Sequence, residues 1–339
     1  MNPRIRARQP AVQQRMNRDT HSLHRRDFLK TSAFAGLGLA AALAPAADEP
    51  KPQRKFTLCF APGPIGVPGD PRKAVGWASQ FGFESIEPAA QFLGKLSDAE
   101  LQDYLGEMKT RKLAWGCAGL PVEFRGAEAA FEQSMKALPE FARALQRAGV
   151  TRVATWLSPG SKSLTYVANF RQHAKRLREV ARVLGEHGLR LGLEYVGPKT
   201  SWSASRFPFI HTMAEMKDLI AEIGRDNVGF LLDSWHWYTA QETEADLLTL
   251  KASDVVLCHL NDAPQGVAVD QQIDNRRGLP CATGVIDVKT FLGAMVKIGY
   301  DGPVVCEPFS QELRNQPPEQ VLATVAAAMK KAVALLDLA

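Results

Sequence analysis

Leu191-Gly192-Leu193-Glu194, Val228-Gly229-Phe230-Leu231-Leu232-Asp233, Val255-Val256-Leu257-Cys258-His259 and Val304-Val305-Cys306-Glu307 are four short apolar runs, each ending in a carboxylate or an imidazole. Each run is rich in strand-forming residues and is followed by a helical stretch, the pattern of strands buried on both faces of a parallel sheet. Parallel strands joined by crossover helices deliver their C-terminal ends to one face. Three carboxylates and one imidazole therefore converge at one rim. Taken singly, Glu194 or Glu307 reads equally well as half of a salt bridge, and His259 as a satisfied core histidine. Four together are different, because a buried carboxylate is costly unless paired or metal-bound, and mixed oxygen and nitrogen ligation suits a divalent cation.

Working outward, the same alternation covers the chain from about residue 55. Further strands are expected at 55–60, 83–88, 112–117 and 151–157, and the four runs above extend to 190–195, 228–233, 254–260 and 303–307. Amphipathic helical stretches separate them at 97–111, 130–148, 164–188, 212–224, 287–298 and 318–337, with glycine stops at Gly149, Gly188, Gly224 and Gly299. Eight strand–helix units without a composition break predict one α/β domain, a (β/α)8 TIM barrel, over residues 48–339. A doubly wound open sheet fits less well. Its glycine-rich phosphate loop would follow the first strand, where Ala61-Pro62-Gly63-Pro64-Ile65-Gly66 is not expected to open a helix.

Residues 1–47 are set apart as a twin-arginine signal peptide. His24-Arg25-Arg26-Asp27-Phe28-Leu29-Lys30 precedes an apolar stretch from about Thr31 to Leu43 and a small-residue end, Ala44-Pro45-Ala46-Ala47, where cleavage is expected. The stretch is shorter than the roughly 20 residues a membrane span needs, so no stable span is expected after cleavage. The expected destination is periplasmic or extracytoplasmic, with the twin-arginine export machinery as a partner. The leader holds eight basic and two acidic residues, so a chain of net charge +5 leaves a mature part near −1. The basic balance belongs to targeting, and nucleic acid is not an expected partner. The five cysteines, Cys59, Cys117, Cys258, Cys281 and Cys306, are odd in number and lie mostly in predicted strands, so they read as small buried hydrophobes rather than a disulfide frame.

Gly192-Leu193-Glu194-Tyr195, Leu232-Asp233-Ser234-Trp235-His236, His259-Leu260-Asn261-Asp262 and Cys306-Glu307-Pro308 resemble, in order, the strand five to eight motifs of the xylose isomerase-like barrels, the sugar phosphate isomerase/epimerase superfamily. The resemblance covers essentially the whole mature chain. It implies that Glu194, Asp233, His259 and Glu307 are metal ligands, and that Glu194 and Glu307 are also the acid/base pair on opposite faces of a substrate carbon. It implies substrate contacts for His236 and for an arginine in Asp274-Asn275-Arg276-Arg277, either Arg276 or Arg277. Mn²⁺ is the expected metal, with Mg²⁺, Co²⁺ or Zn²⁺ as alternatives. One departure stands out: in Leu279-Pro280-Cys281-Ala282-Thr283-Gly284 a cysteine replaces the family's glycine, which puts close backbone approach by that loop in doubt.

Other candidates are weaker. Glu87 ends strand two and reads as a substrate contact or as a rim carboxylate bonded to a neighbouring loop. Trp156, Trp202, Trp235 and Trp237 fall at strand ends or top loops, where aromatic faces suit sugar C–H surfaces; Lys199 and His211 lie in the long connection after strand five. The resulting expectation is a divalent-metal-dependent isomerase or epimerase acting on a small carbohydrate or polyol. A lyase of the inosose dehydratase kind stays open, as does a homo-oligomer. Competing readings are a non-catalytic carbohydrate-binding barrel and a metal-dependent abasic-site endonuclease. The endonuclease needs extra histidines, including one where Asp274-Asn275-Arg276 stands.

Overall fold

The structure, a computed structural model, describes residues 53–336 and 338; the signal segment read at 1–47 lies outside the described residues. Parallel strands at Thr57–Phe60, Ser85–Ile86, Ala114–Trp115, Ala118–Gly119, Arg152–Trp156, Arg190–Glu194, Val228–Asp233, Val255–Leu260 and Pro303–Cys306 form one sheet. The first pairs with the last, and the chain order runs round from there, so the nine segments make eight staves of a barrel. The third stave is one stretch of chain in two pieces. Ala114–Trp115 pairs with the second strand and Ala118–Gly119 with the fourth, so a switch of partner at Gly116-Cys117 closes the ring. Only glycine fits that switch: a Cβ on Gly116 would meet Cys59 Sγ at 2.5 Å and the Ile86 carbonyl oxygen at 3.0 Å.

The helices Asp98–Thr110, Glu128–Arg147, Tyr166–Glu186, Met213–Ile223, Val288–Lys297 and Pro318–Ala334 lie close to the boundaries expected from periodicity. Capping explains their starts: Ser97 with Glu100, and Thr212 with Glu215, form reciprocal boxes that satisfy the first backbone N–H groups. One expectation is corrected. Ala61–Gly66 does open a helical turn, Pro62–Ile65, because Pro62 is pre-set for the first helical position and Gly66 closes it at φ 74°. A single turn ended by glycine offers no phosphate cradle of the doubly wound kind.

Strand alternation sorts the core into two. Leu58, Phe60, Ile86, Leu191, Leu193 and Leu232 pack outward against the helices, while Cys59, Ala61, Cys117, Ala154, Leu231, Leu257 and Val305 fill the barrel interior. Two residues on from the interior set come Trp156, Asp233, His259 and Glu307, and Glu194 shares their parity. The register sets Trp156 opposite Glu194 and Asp233 opposite His259, with a step of two residues from Glu194 to Asp233 and from His259 to Glu307. All five cysteines are free, four of them buried. Among the described residues no helix is long and apolar enough to cross a membrane.

Candidate metal centre

Glu194, Asp233, His259 and Glu307 each present one ligand atom, and the four atoms lie within 4.8 Å of one another. His259 Nδ1 stands 3.1 Å from Glu307 Oε2, 3.5 Å from Glu194 Oε1 and 3.9 Å from Asp233 Oδ2. Donors on opposite sides of an ion bound at roughly 2.0–2.2 Å stand about 4–4.4 Å apart, so a slight contraction completes such a site. Two further observations fit a cation. Glu194 Oε1 and His259 Nδ1 are buried, and neither has a hydrogen-bond partner; such orphans are rare in folded proteins. The donor set, three carboxylate oxygens and one imidazole nitrogen, is one that divalent ions accept.

The surrounding bonds hold the ligands in place. Asp233 ends its strand and caps the helix Ser234–Thr239, accepting the Trp235 N–H at 2.7 Å. Asn261 Nδ2 donates to the same oxygen at 2.9 Å. On the other oxygen, Arg277 Nη1 donates to Asp233 Oδ2 at 2.6 Å and also to Glu307 Oε2 at 2.7 Å, while Nη2 donates to Asp274 Oδ1 at 2.7 Å. The buried guanidinium lies between the rings of Trp235 and Phe309, 5.4 Å and 4.9 Å from their centroids.

Burial and charge set the protonation states. Burial lifts the Glu194 carboxyl to about 8, with the neighbouring Glu307 and Asp233 charges adding to it. Burial also opposes ionisation of Asp233, but the Arg277 guanidinium beside it wins and holds that carboxyl well below the usual range. His259 is desolvated too, yet Glu307 and Glu194 raise it well above an ordinary imidazole. His236 goes the other way, lowered to about 4 mainly by burial. The Gly197 N–H donates to His236 Nδ1 at 3.1 Å, while His236 Nε2 stands 3.3 Å from Arg277 Nη2 and 3.8 Å from Glu194 Oε1. Gly197 is needed for that approach, since a Cβ there would lie 2.6 Å from the His236 carbonyl oxygen.

A cavity of about 310 Å³ opens above the quartet, its wall including Trp156, Glu194, His236, Arg277, Glu307 and Phe309. Of the two arginines left open by the sequence, Arg277 reaches this cavity, and Arg276 is exposed and turned away from it. Trp156, 50% exposed, presents its ring to the cavity with Arg125 stacked on it at 4.4 Å. Trp235 and Trp237 are core residues. Lys199 is drawn off by an ion pair with Asp270 at 2.6 Å, and His211 stacks on Trp202 at 4.6 Å, so neither is brought to the cavity. Glu87 shares the inward parity of Ser85 but lines a second hollow of about 260 Å³ with Phe60, Pro62 and Asp70. Its carboxyl is pushed up to about 7 by burial, against the pull of the His259 charge. No side-chain hydrogen bond ties it to a neighbouring loop among the described residues.

Asn261, Asp274 and Phe309 carry structural parts that the sequence reading did not assign. Asn261 was findable, since it sits two residues beyond His259 and shares its inward parity. Phe309 was not, because its position depends on φ 46° immediately after Pro308.

A family model described as xylose isomerase-like TIM barrel matches residues 75–332. The inosose isomerase of Halalkalibacterium halodurans is 25% identical over 152 residues, which are 44% of this chain and 49% of that protein. The chain thus spans about half the length of the curated relatives it matches first. Among solved structures, a xylose isomerase domain protein of Alicyclobacillus acidocaldarius superposes with TM-score 0.71 at 31% identity, covering 83% of this chain and 99% of the other. The IOLI protein with a bound zinc atom superposes with TM-score 0.69 at 19% identity, covering 83% and 99%, a likeness of fold.

Proposed function

Because this chain belongs to the xylose isomerase-like TIM barrel family, we propose that it is a divalent-metal-dependent isomerase or epimerase that moves a proton at a carbon next to a carbonyl of a small carbohydrate or polyol ketone. The observation that carries this reading is the quartet itself: four strand-end ligands brought together at the barrel mouth, two with buried orphan atoms, beside a cavity the size of a small ligand that Glu194 and Glu307 line. Glu194, Asp233, His259 and Glu307 would hold the ion, Mn²⁺ first among the candidates. When bound, the metal would supply Lewis-acid stabilisation of the negative charge that develops on oxygen as the adjacent C–H bond breaks.

The chain's own residues divide the rest of the work. Glu194 and Glu307 are the proton-transfer pair. Such a pair sets one carboxyl on each face of the substrate carbon, one to take a proton and the other to supply one. Glu307, paired with Arg277, begins as the carboxylate base. Glu307 takes the proton from one face and Glu194 passes one drawn from solvent in the cavity to the other, Glu307 giving its proton back to solvent afterwards, and the reverse reaction exchanges the roles. Neutral His236 lines the cavity beside Glu194 and contacts a substrate oxygen there. The exposed Trp156 ring offers a platform for a C–H face. Arg277 keeps the carboxylates in place and supplies the positive charge they need. The twin-arginine leader adds export of a folded protein as part of the proposal.

The test is proton–deuterium exchange followed by NMR over keto-sugars and inosose with Mn²⁺ present. Exchange at a carbon beside the carbonyl is expected, falling by about 10²–10⁴-fold in Glu307→Gln at saturating metal. Loss of water from the substrate would redirect the reading to a lyase. Full activity of Glu307→Gln would remove the proton-transfer pair.

A further inference from the structure

Beside the cavity over the quartet lies a larger one of about 790 Å³, walled by the loops after the seventh and eighth staves and by Thr324 of the last helix. The two share Asn275, Arg277 and Phe309, so the Phe309 ring stacked on the Arg277 guanidinium is the partition between them. The partition is held in a costly backbone conformation, with Asn275 at φ 63° and Phe309 at φ 46°. For a bulky residue such as Phe309 that is a rare state, of the kind found at ligand clamps. The first compartment alone is at the bottom of the roughly 300–1,000 Å³ range of small-molecule sites, and the second by itself lies in its upper half.

The chemistry of the second compartment is that of a neutral, hydroxyl-rich ligand. Its polar wall is made by Asn275, Arg276, Ser310, Gln311, Glu312, Gln316 and Thr324, that is, amides, two hydroxyls and one charge of each sign. Amides both donate and accept, which matches sugar hydroxyls. Arg277 adds no free positive charge, because its guanidinium is spent on Asp233, Glu307 and Asp274. An anion site would instead gather several cations or backbone N–H groups.

We infer that the substrate has two parts, a ketonic ring over the metal quartet and a neutral glycosyl or polyol extension seated in the Arg276–Gln316 compartment beyond Phe309. This rests on the proposed function for the first part and adds the class of the second.

The test uses the full mature protein loaded with Mn²⁺ and titration calorimetry. The probes are fructose, four disaccharides that contain a fructose unit (lactulose, maltulose, turanose and isomaltulose), and fructose 6-phosphate. At least one disaccharide is expected to bind at least tenfold more tightly than fructose. In Gln316→Trp, which fills the compartment, and in the milder Gln316→Ala, that ratio is expected to fall towards one. Equal affinities for fructose and every disaccharide, or an undiminished ratio in a Gln316→Trp protein that circular dichroism shows to be folded, would overturn the inference. Tighter binding of fructose 6-phosphate than of any disaccharide, lost in Arg276→Ala, would overturn it in favour of an anionic extension. A disaccharide preference without proton exchange on any probe would refute the proposed function and leave the compartment's role standing.

Discussion

Replacing Arg277 by Met removes the buried guanidinium that ties Asp233, Glu307 and Asp274 together. Its Nη1 donates to Asp233 and Glu307 at 2.6 Å and 2.7 Å, and its Nη2 to Asp274 at 2.7 Å. Methionine keeps most of the volume between Trp235 and Phe309 but leaves Asp233 buried without its counter-charge. Breaking a buried ion pair from one side costs about 3–5 kcal/mol, which for a domain of this size corresponds to a melting point lower by about 6–15 °C. The sign follows from Asp233, whose folded-state carboxyl is held below its unfolded value. A depressed carboxyl contributes stability that is present above about pH 4 and lost as pH falls through the folded value. The difference between wild type and Arg277→Met should therefore be full at pH 7 and shrink as pH is lowered from about 5 towards 3. Adding Mn²⁺ should narrow it, because the ion returns positive charge to the same carboxylates. Thermal unfolding by circular dichroism in chelator-treated buffer, with and without Mn²⁺, measures all three. A variant melting within 2 °C of wild type at pH 7 without metal would refute this account of the site's electrostatics.

Metal uptake should release protons, because the carboxyl of Glu194 is raised to about 8 and His259 is raised as well. The proton on Glu194 alone makes binding about 50-fold weaker at pH 6 than at pH 8, and calorimetry in buffers of different ionisation enthalpy should show the release; pH-independent affinity would contradict it. Cys281 sits at φ 61°, a left-handed conformation that glycine adopts without strain, so Cys281→Gly should stabilise the fold by about 1 kcal/mol, and a lower denaturation midpoint would count against that. Replacing Arg25 and Arg26 together by Lys should hold the precursor in the cytoplasm; cell fractionation showing normal export would return the leader to an ordinary secretory signal.

Much of the site was legible in one dimension because parallel strands impose a rule of position. Whatever residue ends a buried strand at its C-terminus faces the common mouth, and a side-chain period of two then decides inside from outside. Glu194, Asp233, His259 and Glu307 could be read that way, each from its own run, and Asn261 by the same parity. The loops obey no such rule. That Arg277 and not Arg276 turns inward and that Asp270 draws Lys199 away are outcomes of contacts between segments far apart in sequence, and that His211 rests on Trp202 follows from how one long connection folds on itself. The break in the third stave was equally hidden, since it arises from the crowding of Gly116 against Cys59 and Ile86 across the barrel. Periodicity along the chain thus determined the barrel and the residues that could bind a cation. Only the tertiary structure decided which charge neutralises them, how far the cavity extends past Phe309, and which protons the buried groups keep, because these depend on distances and desolvation between elements that the sequence order does not contain.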